Sequence, residues 1–338
     1  MKYIECHGNV RECGRQYGEQ AQQEIRLQIA SALLPEPSSE VYLRFTALAE
    51  ESLLRYAPEV YDELTGVSEG AGVAFSQLLF LNCVDTFDSA NRCTPVIVRH
   101  SEHGQLISKN NDGPAFEQMR NPFIVRRVIP DQGMAFLQVT YAGWLSGLDM
   151  LNSSGLANTH GSVGSIYERT GIRLDIRLRF YQLMRKCRTV EEVLAEVLSI
   201  PLTGKGFAIA LGDCSGDNAM LDAAVPCVHL RSRRKTFEFA TNLYETPGLE
   251  NADTRTPEGK IIGQQRREFL RKIADNSPPQ SLPELLGILR LHGDGAPCRH
   301  GEGEMSRTFW SMVALSNEKR LLLCDGFPCQ QDYKNFAF

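Results

Sequence analysis

The sequence has few of the features that mark membrane, fibrous or disordered proteins. No segment approaches the about 18 uninterrupted apolar residues that a membrane-spanning helix needs. No Pro/Ser/Gly-rich run, charge block or convincing repeat interrupts the 338 residues. The first residues also lack the apolar stretch of a secretory signal. We therefore expect a soluble, cytoplasmic protein that folds as one domain and does not bind membranes.

Motifs for nucleotides and nucleic acids are missing as well. No Gly-x-Gly-x-x-Gly follows a predicted strand, and no phosphate-loop pattern occurs, so nucleotide-binding folds have no support. The net charge is −5, and the basic residues are scattered apart from a short run at 231–235. Such a run is typical of a solvated turn, whereas a nucleic-acid surface needs a broader basic footprint. We expect no nucleic-acid partner.

The ten cysteines show no Cys-x-x-Cys spacing. In a chain without a secretory signal we expect no disulfide framework. Cys298-Arg299-His300 is the nearest approach to a metal motif, but two ligands without a second pair nearby do not define a zinc site. The sequence therefore predicts no metal and no organic cofactor, and it assigns most cysteines to the core.

The order of predicted elements indicates an α+β fold. Helical periodicity is found over 11–34, 40–56, 58–66, 77–88, 173–187, 190–198, 259–274 and 282–291. Strands are predicted over 94–99, 106–109, 123–129, 134–141, 145–150, 156–161, 207–212, 219–223, 227–230, 236–241, 308–316 and 320–325. Because the strands occur in hairpin-like runs, antiparallel sheets with helices layered outside are favoured over a doubly wound parallel sheet.

Cys93 lies where the helical pattern gives way to the strand pattern. The polar cluster from Lys109 to Asp112 ends the second strand of a predicted hairpin, whose pairing would bring it close to the start of the first strand. An aspartate there could orient an amine or a thiol. On spacing alone, a buried core cysteine and a simple turn aspartate remain the plainer interpretations.

A series of short motifs in a fixed order favours a functional role for Cys93 and Asp112 over these structural interpretations. The motifs are Gly14/Gly18-Glu19, Tyr61–Gly72, Cys93-Thr94, Asn111-Asp112, Leu151–Ala157, Ala240-Thr241-Asn242, Cys298-Arg299-His300 and Asp325–Cys329 followed by Tyr333. Together they resemble the family of acyl-coenzyme A:6-aminopenicillanic acid acyltransferase and its bacterial relatives. These are self-processing N-terminal nucleophile (Ntn) hydrolases, distantly related to bile-salt hydrolase and penicillin V acylase. The resemblance covers nearly the whole chain and implies a four-layer αββα sandwich with antiparallel sheets.

The resemblance also implies catalytic roles. Cys93 would be the nucleophile, freed when the chain cuts its own Arg92–Cys93 bond. Asp112 would hold the new α-amino group, and the Asn242 amide would help to form the oxyanion hole. Five further residues are candidates for the pocket: Thr94, Lys109, Asn111, Ser306 and Arg307.

The implied reaction is acyl transfer from a small-molecule amide or acyl thioester, with acyl-coenzyme A among the candidate substrates. An acyl-enzyme would form on the nucleophile, and its acyl group would pass to water or to an amine. Residues 1–92 would form a helical pro-segment that stays bound as a small subunit. Residues 93–338 would form the catalytic large subunit.

Two alternatives stay open on the sequence. One is a conventional cysteine–histidine hydrolase that uses His160 or His300 and is never cut. The other is a catalytically silent binding protein of the same fold. The second is kept open by Arg92, which stands where the family has a small residue; Pro95 also departs from the family pattern.

Overall fold

The computed structural model describes residues 1–32, 34–83, 93–99, 103–115, 122–166, 171–301, 304 and 306–338. The helices are α1 (Val10–Gln20), α2 (Gln22–Ser31), α3 (Glu40–Tyr56), α4 (Pro58–Ala71), α5 (Phe75–Cys83), α6 (Ile176–Lys186), α7 (Val190–Glu196), α8 (Pro257–Asn276) and α9 (Leu282–Arg290). The first eight strands are β1 (Lys2–Gly8), β2 (Thr94–Arg99), β3 (Gln105–Pro114), β4 (Phe123–Pro130), β5 (Phe136–Tyr141), β6 (Met150–Asn152), β7 (Ala157–Val163) and β8 (Leu174–Asp175). The others are β9 (Leu202–Thr203), β10 (Gly206–Gly212), β11 (Asn218–Ala224), β12 (Cys227–Arg233), β13 (Phe237–Phe239), β14 (Ser306–Leu315), β15 (Arg320–Asp325) and β16 (Lys334–Ala337).

Two large sheets contain most of the strands. The larger sheet has the order β1-β4-β5-β6-β7-β10-β11-β12, and the smaller one has the order β13-β2-β3-β14-β15-β16. Neighbouring strands in both are antiparallel except β1 and β4, which run parallel. The short strands β8 and β9 form a separate parallel pair. Sheets of this kind are hydrophobic on the faces that they bury against other layers.

Three hydrophobic clusters define the layers. One lies between the outer face of the larger sheet and the helices α1 to α7. The second fills the space between the two sheets, where Leu151, Ala208, Trp310 and Met312 contribute. The third lies between the smaller sheet and the helices α8 and α9. The order is helices, sheet, sheet, helices, which confirms the predicted four-layer α+β sandwich.

Several predicted boundaries were wrong for physical reasons. The helix predicted over 11–34 is two helices that meet at Ala21, and the helix predicted to close at Gly66 continues to Ala71. The segment 145–150 is not a strand over most of its length, because it forms a buried turn region held by the Asn82 side chain. Strands β1 and β16, near the two ends of the chain, and the two-residue strands β8 and β9 were not predicted.

The N-terminal region is built into the sandwich. Strand β1 extends the larger sheet by pairing with β4, and α1 and α4 cross its outer face. A buried ion pair joins Glu63 of α4 to Arg126 of β4 at 2.7 Å, and Arg185 of α6 contacts the same carboxylate at 3.3 Å. None of the helices in the described part of the chain is long and apolar enough to cross a membrane.

Candidate active site

Cys93 stands directly before strand β2 in the middle of the sandwich. Its side chain is 1% exposed, and its Sγ donates a hydrogen bond of 3.4 Å to Asn111 Oδ1 on the neighbouring strand β3. Burial raises the pKa of the Cys93 thiol, while the charge of Lys109 and a backbone hydrogen bond from Asp112 act in the opposite direction. The thiol is therefore mostly protonated at neutral pH, and a base is needed to make it a nucleophile.

Strand alternation divides the polar cluster of β3 between two layers. Lys109 and Asn111 bond with groups of the inter-sheet space, whereas Asn110 and Asp112 bond with groups outside the smaller sheet. Asn110 Nδ2 donates to the Leu289 carbonyl at the end of α9. This division follows from the two-residue period of a strand. The cluster therefore serves both faces of the sheet.

Asp112 is fully buried beside this nucleophile candidate. Its Oδ1 accepts a hydrogen bond of 2.7 Å from the Thr308 hydroxyl, and its Oδ2 lies 3.5 Å from Arg266 Nη1. Within the described residues Oδ2 has no hydrogen-bond partner. Burial raises the pKa of the Asp112 carboxyl to about 6, and the Arg266 charge and the Thr308 hydrogen bond only partly oppose that rise.

Arg266 of helix α8 links the predicted residues to one another. Its guanidinium donates 2.7 Å hydrogen bonds to Thr94 Oγ1 and to Asn242 Oδ1, and it forms the ion pair with Asp112. The side chain is 1% exposed. Arg266 was not predicted from the sequence, since nothing in the local pattern of an amphipathic helix distinguishes it from its half-buried neighbour Arg267.

Asn242 is held in one orientation by these contacts. Its Nδ2 donates to the Ser162 carbonyl at 2.7 Å, and its backbone has a φ of 63°, which asparagine tolerates better than most residues. A Cβ added at Gly161 would lie 3.4 Å from both Asn242 Nδ2 and the Cys93 carbonyl oxygen. The Asn242 amide and the backbone of Cys93 therefore flank the same glycine.

Lys109 belongs to a second buried group on the inter-sheet side. Its Nζ lies 2.9 and 3.2 Å from the two carboxylate oxygens of Asp149 and 3.3 Å from His160 Nδ1. His160 Nδ1 also lies 3.0 Å from the Leu148 carbonyl. Burial and the Lys109 charge lower the pKa of His160. The histidine is therefore neutral at pH 7.

A cleft between the sheets reaches this group and Asn111. It encloses about 560 Å³ of empty space, part of it open to solvent. Asn111, Asp149 and His160 supply polar groups to its wall, and the Asn111 Nδ2 is buried without a hydrogen bond in the described part of the chain. The aromatic part of the wall consists of Phe123, Tyr141, Trp144, Phe207 and Trp310. The cleft thus combines aromatic side chains with polar and charged ones, among them Arg177 and Lys205, and a concave wall with convergent polar groups is typical of a ligand site.

The other predicted residues lie farther from these contacts or outside the described residues. Arg92, and with it the predicted cleavage bond, falls outside them. Ser306 is buried opposite Pro114, and Arg307 places its guanidinium 5.3 Å from the centre of the Phe327 ring. The polar residue of this strand that reaches Asp112 is Thr308, one position beyond the predicted pair.

The remaining candidates for catalysis are not part of this network. Asn152, in the Leu151–Ala157 motif, bonds with the backbone of its own turn and with two carbonyls at the end of α6. His300 lies in a different place, 3.1 Å from Cys329 Sγ.

Comparisons with known proteins give a distant likeness. No protein-family model and no curated protein matches the chain. A mutant of the conjugated bile acid hydrolase from Clostridium perfringens is a similar solved structure, with 12% identity, 73% of this chain and 97% of that chain covered, and a TM-score of 0.45. The penicillin V acylase from Agrobacterium tumefaciens has 14% identity, coverages of 69% and 83%, and a TM-score of 0.44. The Caenorhabditis elegans ortholog of N-acylethanolamine-hydrolyzing acid amidase has 11% identity, coverages of 67% and 93%, and a TM-score of 0.45. We draw no argument about activity from likenesses this distant.

Proposed function

We propose that this protein is a self-processing Ntn enzyme that transfers or hydrolyses amide-linked acyl groups. Cys93 would first attack the carbonyl of Arg92 and form a thioester with release of its own α-amino group. Water would then hydrolyse the thioester, leaving Arg92 with a carboxylate and Cys93 with a free thiol and a free amine. The same thiol would next attack the substrate.

The observation that carries this proposal is the buried oxygen of Asp112. Asp112 Oδ2 faces the Arg266 charge at 3.5 Å but accepts no hydrogen bond from the described residues, and a buried carboxylate oxygen without a hydrogen bond is costly. Cleavage before Cys93 would create a positively charged amine close to Asp112, which would supply that hydrogen bond. The Asp112 carboxylate would then hold the amine in place, and Thr308 and Arg266 would hold the carboxylate.

An amine on the nucleophile itself meets the need for a base. The pKa of an α-amino group is about 7.7–8.0, so a substantial share of it is unprotonated near neutral pH and accepts the thiol proton. Attack on a carbonyl creates an oxyanion, and the Asn242 and Asn111 amides would donate to it. Losing one such donor typically lowers turnover about a hundredfold or more. The proposed chemistry uses protein groups alone and no cofactor.

The cleft lining points to the substrate class. Five aromatic side chains line the cleft, together with Asn111 and several other polar or charged groups, among them Arg177 and Lys205. An amide or thioester with an apolar or aromatic acyl group would place its chain against the rings and its carbonyl near the thiol. Water or an amine would accept the acyl group.

A substrate screen with matched variants tests this proposal. Purified wild-type protein, Cys93→Ala and Cys13→Ala would be assayed with N-acyl amides and acyl thioesters, acyl-coenzyme A included, of graded chain length and aromatic content. Cys13 is a buried thiol in helix α1 that controls for the loss of a core sulfur. We expect turnover in wild type and Cys13→Ala and none in Cys93→Ala. Turnover that survives in Cys93→Ala would refute the proposal.

The alternative, a conventional cysteine–histidine hydrolase, predicts a different result in the same assay. His160 has Asp149 within 3.3 Å and lines the cleft, so it is the histidine best placed for such a role. If the protein were a hydrolase of that kind, its chain would never be cut, and His160→Ala would abolish turnover. Under the present proposal His160→Ala keeps an intact nucleophile and base, and turnover persists.

A further inference from the structure

A second cluster of reactive side chains lies outside the candidate active site. Cys298 and His300, which are separated by one residue in the sequence, are joined in space by His292 and Cys329. One ligand atom from each of the four residues lies within 4.8 Å of the others. The fold therefore supplies the second pair of ligands that the sequence motif lacks.

The spacing of the four atoms fits a tetrahedral metal ion. Two thiolates bound to zinc at about 2.3 Å in a tetrahedron lie about 3.8 Å apart. The Cys298 and Cys329 sulfurs are 3.7 Å apart, and both cysteines are free. His300 Nε2 lies 3.1 Å from Cys329 Sγ, so the nitrogen and sulfur atoms already converge on a common centre.

The two histidine rings of the cluster have defined packing partners. The rings of His292 and His300 meet edge to face at 83°, with centroids 4.9 Å apart. The His300 ring is stacked on Phe327 at 4.5 Å, which fixes its plane. Two sulfur and two nitrogen donors in a tetrahedron are the ligand set of structural zinc sites, and such a closed set leaves no position open for a substrate.

We propose that His292, Cys298, His300 and Cys329 bind one structural Zn²⁺ ion. Two thiolates would neutralise its charge. The ion would tie the segment that follows α9 to the segment that follows β15, two parts of the chain that are about thirty residues apart in sequence at Cys298 and Cys329.

The position of this site gives the ion a role beyond local stability. Arg299, between two of the ligands, donates its backbone N–H to Thr308 Oγ1 at 2.9 Å and accepts from the Thr308 N–H at 2.8 Å. Thr308 in turn donates to Asp112. The zinc site would therefore fix the strand segment that positions Thr308, and through it the Asp112 carboxylate. It acts by positioning and takes no part in the chemistry at Cys93.

Metal analysis of the full-length protein tests the proposal. Protein purified with a reductant and without chelators or metal-affinity resin is expected to contain about one zinc per chain by elemental mass spectrometry. Replacement of zinc by Co²⁺ is expected to give the visible absorption of tetrahedral, thiolate-bound cobalt. Thiol titration after denaturation and chelation should find all ten cysteines free. A protein without metal, one that holds iron or copper instead, or one with two thiols fewer because Cys298 and Cys329 form a disulfide, would overturn the proposal.

Matched variants separate ligand loss from misfolding. Cys298→Ser should lose most of the zinc, while Cys324→Ser, which removes a buried free thiol of β15 outside the cluster, should keep it. Because Cys298→Ser could unfold, His292→Ala provides a second test at an exposed residue. It should weaken zinc affinity by a factor on the order of 100 and lower the Tm, whereas His229→Ala at another exposed histidine should change neither. Equal zinc content in His292→Ala and His229→Ala would contradict the assignment.

Discussion

At the scale of single residues, Asp112 combines full burial with a carboxyl pKa raised to about 6. In the folded chain it keeps its proton up to a higher pH than in the unfolded chain, where an aspartate has a pKa of about 3.9. The folded state therefore binds more protons between pH 4 and 6, and stability falls as the pH rises through that interval. A shift of this size corresponds to about 3 kcal/mol.

This pH dependence is measurable in a chain that cannot cut itself. In a Cys93→Ala background, the free energy of unfolding should lose about 3 kcal/mol between pH 4 and pH 7 through Asp112. Adding Asp112→Asn removes the titrating group, so the decline should become smaller by that amount. Urea unfolding of both proteins across the interval provides the measurement. Equal pH dependence in the two would show that the Asp112 pKa is not raised.

Part of this residue network was predicted from the sequence. Asp112, Asn242 and Thr94 were named in advance, and all three contact one buried arginine in the structure. Cys93, also named in advance, directly precedes Thr94 and bonds with Asn111. Arg266 itself and Thr308 were missed, because each reaches Asp112 only through packing of elements more than 150 residues away in the chain. No local pattern encodes such contacts. The catalytic roles of these residues stay predictions.

At the scale of elements, the close packing of α1 on α4 depends on four glycines. A Cβ at Gly14 would lie 2.1 Å from the Glu63 carbonyl oxygen, and one at Gly18 would lie 2.4 Å from the Val67 oxygen. Gly66 and Gly70 are equally close to α1, with their added atoms 2.2 and 2.0 Å from its carbonyls. The sequence pattern predicted a helix end at Gly66, whereas this glycine lies inside α4 and faces α1. From the sequence alone, a glycine that ends a helix cannot be distinguished from a glycine inside a helix that allows another helix to pack closely against it.

Alanine at one of these positions should separate the two helices. We expect Gly70→Ala to destabilise the protein by roughly 2–3 kcal/mol, because the methyl group overlaps backbone that cannot move freely. Gly287 in α9 is the matched control, since a Cβ there would meet nothing within 4 Å. Gly287→Ala should stabilise by about 0.5–1 kcal/mol through helix propensity. Thermal unfolding compares the two, and similar effects of both substitutions would contradict the packing argument.

At the scale of the whole molecule, the described residues before Cys93 supply one edge strand, five helices and a buried charge to the sandwich. We therefore propose that residues 1–92 stay bound after the cut, as the resemblance implies. Glu63 is central to this, since its carboxylate pairs with Arg126 and Arg185 and also accepts from the Tyr181 hydroxyl. Removing one partner of a buried ion pair typically costs about 3–5 kcal/mol.

Glu63→Gln tests that attachment. We expect it to destabilise the chain by about 3–5 kcal/mol, and to loosen the small fragment from the large one in size-exclusion chromatography with mild denaturant. Glu69→Gln is the control, because Glu69 pairs with Arg11 at the surface and its loss should have little effect. If the fragments separate equally easily in both variants, the buried charge is not what joins them.

The intact mass of freshly purified protein under denaturing conditions tests the central claim most directly, with Cys93→Ala measured beside it. We expect two fragments in wild type, the larger beginning at Cys93, and one uncut chain in the variant. An uncut chain in both, or a cut that persists without the Cys93 thiol, would contradict self-processing at this residue.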